Sequence, residues 1–239
     1  MTIKTTKVFE KNLKAYVDGN RYIINQGGAR SSKTYSIVQL LILIAMYQKK
    51  ETYVSIVSAT LPHLKRGAMR DFFSVLQSLN MYDENSYNRT DKIYRINKTQ
   101  IEFFSVDTAE KVYGSSRDLL FINEANNIDE ERARQLVIRT KGTVFFDFNP
   151  TCEFYCHTDY MTRNNSTYIH STFADNPYLD ENIKQELHEA GERNQNFKRV
   201  FVDGEIGVPQ DLIFTNWEIG VFDETLDVVF GEDYGYSND

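Results

Sequence analysis

The sequence predicts an α/β fold, a mostly parallel central sheet with helices on both faces. Three observations carry this expectation. Tyr22-Ile23-Ile24-Asn25-Gln26-Gly27-Gly28 is a short apolar run ending in two glycines, and a second apolar run from Ile37 to Met46 follows Ser32-Lys33-Thr34. That is the pattern of strand, tight loop and helix. Further along, β-branched apolar segments alternate with helical ones, as parallel strands joined by helical crossovers require. Finally, Leu119-Leu120-Phe121-Ile122 and Thr143-Val144-Phe145-Phe146 are unbroken apolar runs, which suits strands buried on both faces.

Taken in order, Val8, Phe9, Leu13, Tyr16 and Val17 recur at near-helical spacing, so 7–17 reads as a short amphipathic helix. Asp18-Gly19-Asn20 is a turn. A strand over 21–26 and a helix over 33–48 follow, then a β-branched strand from Thr52 to Val57. Leu61 to Leu79 reads as one helix with a basic opening of His63, Lys65, Arg66 and Arg70. Residues 91–97 and 99–106 read as strands about an Asn97-Lys98 turn, and 109–113 as a short helix or loop. Asp129 caps a charged helix that reaches Arg139. After Pro150 the pattern changes. Residues 153–161 and 180–201 read as helical, around a strand near 166–171. Val228 to Gly235 reads as a new strand. The expected division is a first domain over 1–208, with a helical lid or linker part from about 151, and a second piece over 209–239.

Composition bounds the chemistry. The chain has 239 residues, 41% hydrophobic and 26% charged, with 15 Tyr and 16 Phe, so a soluble domain with a sizeable core is expected. Only four prolines appear, which argues against long disordered linkers. A net charge of -7 excludes a wholly basic surface. Nucleic acid must then be met through a local patch or within an assembly. Lys65, Arg66 and Arg70 are candidates for such a patch, although a solvated helix face is the better account of them. Cys152 and Cys156, next to His157, lack the further ligands of a zinc site and read as free thiols in a reducing compartment. No apolar signal segment opens the sequence, and the longest apolar run is too short to cross a bilayer.

The chemistry begins in the glycine loop. It nearly fits the phosphate-binding pattern G-x-x-x-x-G-K-[ST], with Gly27 first, Lys33 and Thr34 in place, and Ser32 for the second glycine. Backbone N–H groups of such a loop, aided by the positive end of the next helix, form a nest for phosphate. The ATP-binding set is therefore Gly27, Gly28, Ala29, Arg30, Ser31, Ser32, Lys33 and Thr34. Lys33 neutralises the β and γ phosphates, and the Thr34 hydroxyl holds Mg²⁺. An NTPase also needs an acid for the metal and a base for water at the end of a buried strand. Leu119 to Ile122 ends in Asn123-Glu124, so Asn123 stands at the metal position with one charge missing, and Glu124 is the catalytic base. The next strand ends in Asp147-Phe148-Asn149-Pro150, where a polar group couples phosphate loss to motion. Asn149 is the first choice and Asp147 the second. Arg30 within the loop and Arg139 after the charged helix are candidate arginine fingers, the first in cis and the second in trans. The expected class is an α/β P-loop NTPase of the ASCE type.

These motifs and their order resemble the large terminase subunit of tailed bacteriophages. The matching stretches are G-G-A-R-S-S-K-T (27–34), V-S-A-T (57–60), L-F-I-N-E-A (120–125), F-F-D-F-N-P (145–150) and T-F-A-D-N-P-Y-L (172–179). Gly207 to Trp217 and the final G-E-D-Y-G-Y-S-N-D complete the set. The resemblance implies an ATPase motor that uses ATP and Mg²⁺ to move double-stranded viral DNA into a preformed capsid. It implies a homo-oligomeric ring on the portal protein, a small terminase partner, no membrane, and residence in the host cytoplasm with transient docking on the procapsid. By the same resemblance, 209–239 is a linker and the first strand of an RNase H-like nuclease domain. Asp233 matches that domain's first metal ligand, in a site that uses two divalent metals. With one carboxylate of several, this chain is not expected to cut DNA. Ser32 and Asn123 are departures from the family pattern.

Three other readings stay open on the residues alone. A helicase-like motor would need arginine-bearing motifs beyond residue 150, and a small-molecule kinase would not need Glu124. A non-enzymatic nucleotide-binding module is compatible with Asn123.

Overall fold

The structure is a computed structural model and describes residues 4–107 and 116–208. Its strands are β1 (Tyr22–Gly27), β2 (Thr52–Ser58), β3 (Tyr87–Asn88), β4 (Ile93–Ile96), β5 (Thr99–Ser105), β6 (Leu119–Ile122), β7 (Val144–Phe148) and β8 (Ser166–Ser171). They form one sheet in the order β3-β4-β5-β2-β6-β7-β1-β8. Pairing is parallel from β5 through β2, β6, β7 and β1 to β8. Only the β3-β4-β5 edge is antiparallel, and its β4–β5 hairpin turns at Asn97, in the left-handed region at φ 51°.

Alternation along the strands splits the core into two layers. Ile23, Phe121 and Phe145 face α1 (Lys7–Val17), α2 (Lys33–Tyr47), α3 (Leu61–Arg66) and α4 (Ala68–Ser78). Ile24, Leu120, Ile122 and Phe146 face α5 (Glu130–Ile138) and α6 (Tyr155–Thr158) on the other side. Helix α2 is buried nearly all round, through Ile37, Val38, Leu40, Leu41, Ile42 and Ala45. This explains why its sequence is a continuous apolar run rather than a striped one. On α4, Phe72 is fully buried and meets Tyr94 and Phe103 edge-on, at 5.6 and 5.1 Å between ring centres. Its truncation to alanine costs about 3–5 kcal/mol.

Helix starts follow their sequence signals. The side chains of Thr6, Thr60 and Asp129 accept from Phe9, His63 and Arg132 N–H and cap α1, α3 and α5. Two expectations need correction. The helix expected over 61–79 is broken at Gly67, whose backbone (φ −101°, ψ −114°) leaves the helical region. A Cβ there would stand 3.2 Å from the His63 carbonyl oxygen and 3.3 Å from Asn123 Oδ1, so a residue without one lets the chain cross the end of β6. Second, β7 runs on to Phe148, so Asp147 lies inside the sheet rather than in the turn. The part from about 151 contains the strand expected near 166–171 as well as helices. It supplies β8 beside β1, then α7 (Glu181–Arg193), a turn of helix at Gln195–Phe197 and the π-helical Lys198–Asp203.

The expected segment at 109–113, the strand at 228–235, the piece over 209–239 and Asp233 lie outside the described residues. No described helix is long and apolar enough to cross a membrane.

Candidate active site

The glycine loop leaves β1 at Gly27 and enters α2 at Lys33, at the C-terminal edge of the parallel strands. Its shape is set by close neighbours. A Cβ on Gly27 would stand 2.0 Å from the Ser171 carbonyl oxygen, and one on Gly28 2.6 Å from that of Phe201. The same two carbonyls accept from Gly28 N–H at 3.0 Å and Ala29 N–H at 2.7 Å. Those two amides are therefore spent on the fold, and the loop from Arg30 to Thr34 is left facing the pocket. Ser32 sits at φ +69°, the left-handed conformation that the pattern's second glycine supplies without strain. Its hydroxyl donates to Thr6 Oγ1 at 3.2 Å, which ties the loop to the cap of α1.

Lys33 is buried and folds back on the loop. Its ammonium donates to the carbonyls of Gly27 at 3.0 Å and Gly28 at 2.7 Å, and to Ser31 Oγ at 3.1 Å. Burial lowers its pKa to about 8, with the charge of Asp147 opposing the shift. Asn149, the first choice for coupling, donates from Nδ2 to the Gly27 carbonyl at 2.7 Å. A side chain just beyond β7 thus holds the first glycine of the loop.

Three groups converge on Asp147, which is 2% exposed. The Thr34 hydroxyl donates to its Oδ2. Asn123 Nδ2 lies 2.9 Å from Oδ1 and 3.3 Å from Oδ2, and the Glu124 backbone N–H is 2.8 Å from Oδ1. Burial pushes the Asp147 carboxyl above its ordinary pKa. The Thr34, Glu124 and Asn123 hydrogen bonds and the Lys33 charge pull it back. A carboxylate thus stands one strand over from Asn123, in contact with both it and Thr34. Sequence reading makes Asp147 the second choice for coupling and gives it no link to Thr34, 113 residues away.

Glu124 adopts φ +54°, a conformation rare outside glycine and frequent at functional turns. Its carboxylate lines the pocket and is partly exposed. Oε2 is held by His63 Nδ1 at 3.1 Å and Asn127 Nδ2 at 3.2 Å. His63 appears in the sequence only as part of a basic helix opening, and Asn127 carries no signal there at all. The pocket encloses about 680 Å³ and is lined by the loop, Arg30, Arg70, Glu124, Asp147, Asn149 and Tyr178. Arg139 is elsewhere. Its carbonyl accepts from Arg117 N–H just before β6, and its guanidinium reaches Gln135 at 2.6 Å. It therefore sits at the N-terminal edge of the sheet, opposite the loop of its own chain.

The cysteine region packs under the loop. Cys156 is buried and Cys152 exposed, and no metal-binding cluster of His, Cys, Asp or Glu occurs among the described residues. His157 accepts from Phe154 N–H at Nδ1 and pairs through Nε2 with Gln26 Oε1 at 2.9 Å, while Gln26 Nε2 donates to the Gly204 carbonyl at 2.8 Å. Gly204, at φ +72°, packs on the loop so closely that a Cβ would stand 2.6 Å from Gly28 N. Sequence reading misses this contact, and only the positive φ marks it.

Comparison with known proteins places this architecture. Among curated proteins none matches the chain. Among solved structures, the large terminase of a thermophilic bacteriophage superposes with a TM-score of 0.72 at 18% identity, over 85% of this chain and 54% of that one. The same terminase in complex with ADP gives 0.67 at 19% identity, over 83% and 52%. The large terminase ATPase domain of Thermus phage P74-26 gives 0.60 at 12% identity, over 83% of this chain and 92% of that one. The chain thus spans about half the length of the first of these terminases, and the shared fold is that of a P-loop NTPase. The family described as phage terminase large subunit matches residues 19–205. This chain belongs to the phage terminase large subunit family.

Proposed function

We propose that the chain is the ATP-hydrolysing motor part of a DNA-packaging terminase, one that drives double-stranded DNA into a procapsid. The observation that carries this reading is the convergence beneath the phosphate loop. Thr34, Asn123 and the Glu124 backbone meet at Asp147, while the Glu124 carboxylate faces the same pocket as Lys33. Nucleotide complexes of the thermophilic phage terminase, with ADP and with ATP-γ-S, lend the reading support.

In this reading, Lys33 exchanges its loop carbonyls for phosphate oxygens, and α2 adds its positive end. Glu124 leaves His63 and Asn127 and takes a proton from the attacking water. Arg30, on the pocket wall, offsets charge on the transferred phosphoryl group in cis. Arg139, at the far edge of its own sheet, acts on the nucleotide of a neighbouring subunit in the ring. Asn149 passes loss of the γ-phosphate to Gly27 through its hydrogen bond. Hard oxygen donors suit Mg²⁺, and the Thr34 hydroxyl next to a buried carboxylate provides them. The ion neutralises charge on the β and γ phosphates when bound.

The proposed partners are viral double-stranded DNA, the portal protein and a small terminase subunit, met in the host cytoplasm and on the procapsid. We read 1–208 as the motor domain and 209–239 as a linker and the start of a nuclease domain with Asp233 as its first metal ligand. The test is phosphate release with and without duplex DNA. Stimulation by DNA supports the motor. Lys33→Ala should abolish nucleotide binding, and Glu124→Gln should keep binding and lose turnover. Binding without turnover in the wild-type chain would leave only a nucleotide-binding module.

A further inference from the structure

We propose that the carboxylate serving the nucleotide's divalent metal is Asp147 of β7, and that Asn123 of β6 is a positioning residue that holds it. The proposal rests on the nucleotide-site reading above and changes its chemistry. The sequence pattern puts the metal position at the end of β6, weakened by an amide. The geometry points to a full carboxylate, moved to the adjacent strand.

Strand order makes the move possible. β7 lies between β6 and β1, and Ile122 pairs in register with Phe146. The next residues on the two strands, Asn123 and Asp147, are therefore neighbours. On the other side Asp147 is in register with Asn25, two residues before the loop begins. A carboxylate at this point of β7 reaches the Thr34 hydroxyl directly.

The orientation of Asn123 excludes it as a ligand. Its Nδ2 faces both oxygens of Asp147, because a carboxylate accepts and an amide oxygen cannot donate to it. The amide oxygen is thereby turned to Gly67, where an added Cβ would stand 3.3 Å from it. Asn123 offers the metal position a donor and no lone pair. A second carboxylate in its place would set two like charges within hydrogen-bonding distance, both nearly buried, and one of them would have to keep a proton. One acid and one amide is the arrangement that lets Asp147 stay charged while its oxygens stay satisfied. Glu124 N–H completes the clamp, so the metal carboxylate and the catalytic base are joined through one hydrogen bond.

Mn²⁺, as a spectroscopic substitute for Mg²⁺, tests this on the whole chain with ADP. Free Mn²⁺ is read by electron paramagnetic resonance, and ADP affinity is measured separately in EDTA. Asp147→Asn should weaken Mn²⁺ binding at least tenfold, equivalent to about 1.4 kcal/mol, with ADP affinity in EDTA changed less than threefold. Asn123→Ala should weaken Mn²⁺ binding less than threefold and lower the melting temperature. The exchanged pair, Asn123→Asp with Asp147→Asn, restores one acid and one amide and should recover Mn²⁺ binding relative to Asp147→Asn alone. If Asp147→Asn does not fold, Asp147→Ser, smaller and still polar, takes its place. Wild-type Mn²⁺ affinity in either Asp147 variant overturns the proposal, as does a loss in Asn123→Ala equal to that in Asp147→Asn. A wild-type chain that binds no ADP, with or without Mn²⁺, instead overturns the nucleotide-site reading itself.

Discussion

His63 Nδ1 stands 3.1 Å from Glu124 Oε2, so the candidate catalytic base is held by a side chain from the helix that follows β2. Asn127 holds the same oxygen. Both members of the pair are about half exposed, at 56% and 45%. An exposed pair of this kind contributes less than about 1 kcal/mol, so it biases the glutamate without locking it. His63→Ala should raise basal phosphate release, by no more than about fivefold on that energy. A rate that falls would make His63 an aid to catalysis instead of a restraint.

Lys33 predicts a proton signature of binding. Its pKa is lowered to about 8 in the folded chain, from 10.5. Phosphate favours the charged form and raises the value again. Near pH 8 about half of the free chains carry a neutral Lys33, so binding takes up roughly half a proton, and near pH 6.5 almost none. Titration calorimetry in buffers of different ionisation heat reads this directly. The sign for stability follows from the same shift. Between pH 8 and 10.5 the unfolded chain binds more protons, so this group adds stability as pH rises through that window. Equal uptake at both pH values would refute the assignment.

Ser32 predicts an order of stabilities. At φ +69° a non-glycine residue bears about 1 kcal/mol of strain, and its hydrogen bond to Thr6 returns a similar amount. Ser32→Gly should be close to neutral. Ser32→Ala keeps the strain and loses the bond, so it should be about 1 kcal/mol less stable than Ser32→Gly in denaturant titration. Equal stability of the two would mean the left-handed turn is not kept.

Gly204 predicts a remote loss of binding. A Cβ there meets Gly28 N at 2.6 Å and Gly27 Cα at 2.8 Å. Gly204→Ala should cost more than about 1 kcal/mol in stability and at least tenfold in nucleotide affinity, because the clash lies on the loop backbone. Wild-type affinity in a folded variant would show that the loop yields freely.

Arg139 predicts complementation. Its place at the far edge of the sheet means that Arg139→Ala alone should leave nucleotide affinity within twofold. Mixing Arg139→Ala with Glu124→Gln under ring-forming conditions should regain part of the activity, since one interface then has both intact parts. No recovery would remove Arg139 from catalysis.

Much of this protein is written locally. The apolar run of α2, the cap Asp129, the buried strands at 119–122 and 143–146 and the Gly27-to-Thr34 loop follow from spacing within a few residues. So does Glu124, at the end of a run of four apolar residues. Periodicities of 2.0 and 3.6 and single-residue caps are short-range physics, and a sequence displays them openly. What tertiary structure alone decided is which strand ends become neighbours. β7 inserts between β6 and β1, far from both β1 and the loop in the chain, and only that insertion brings Asp147 to Thr34 and Asn123. The break at Gly67, the grip of His63 on Glu124 and the seat of Gly204 on the loop have the same origin. Each is a packing contact between segments distant in the chain, set by how two buried layers fill the faces of one sheet. No local pattern encodes such contacts, because the groups that enforce them belong to different elements.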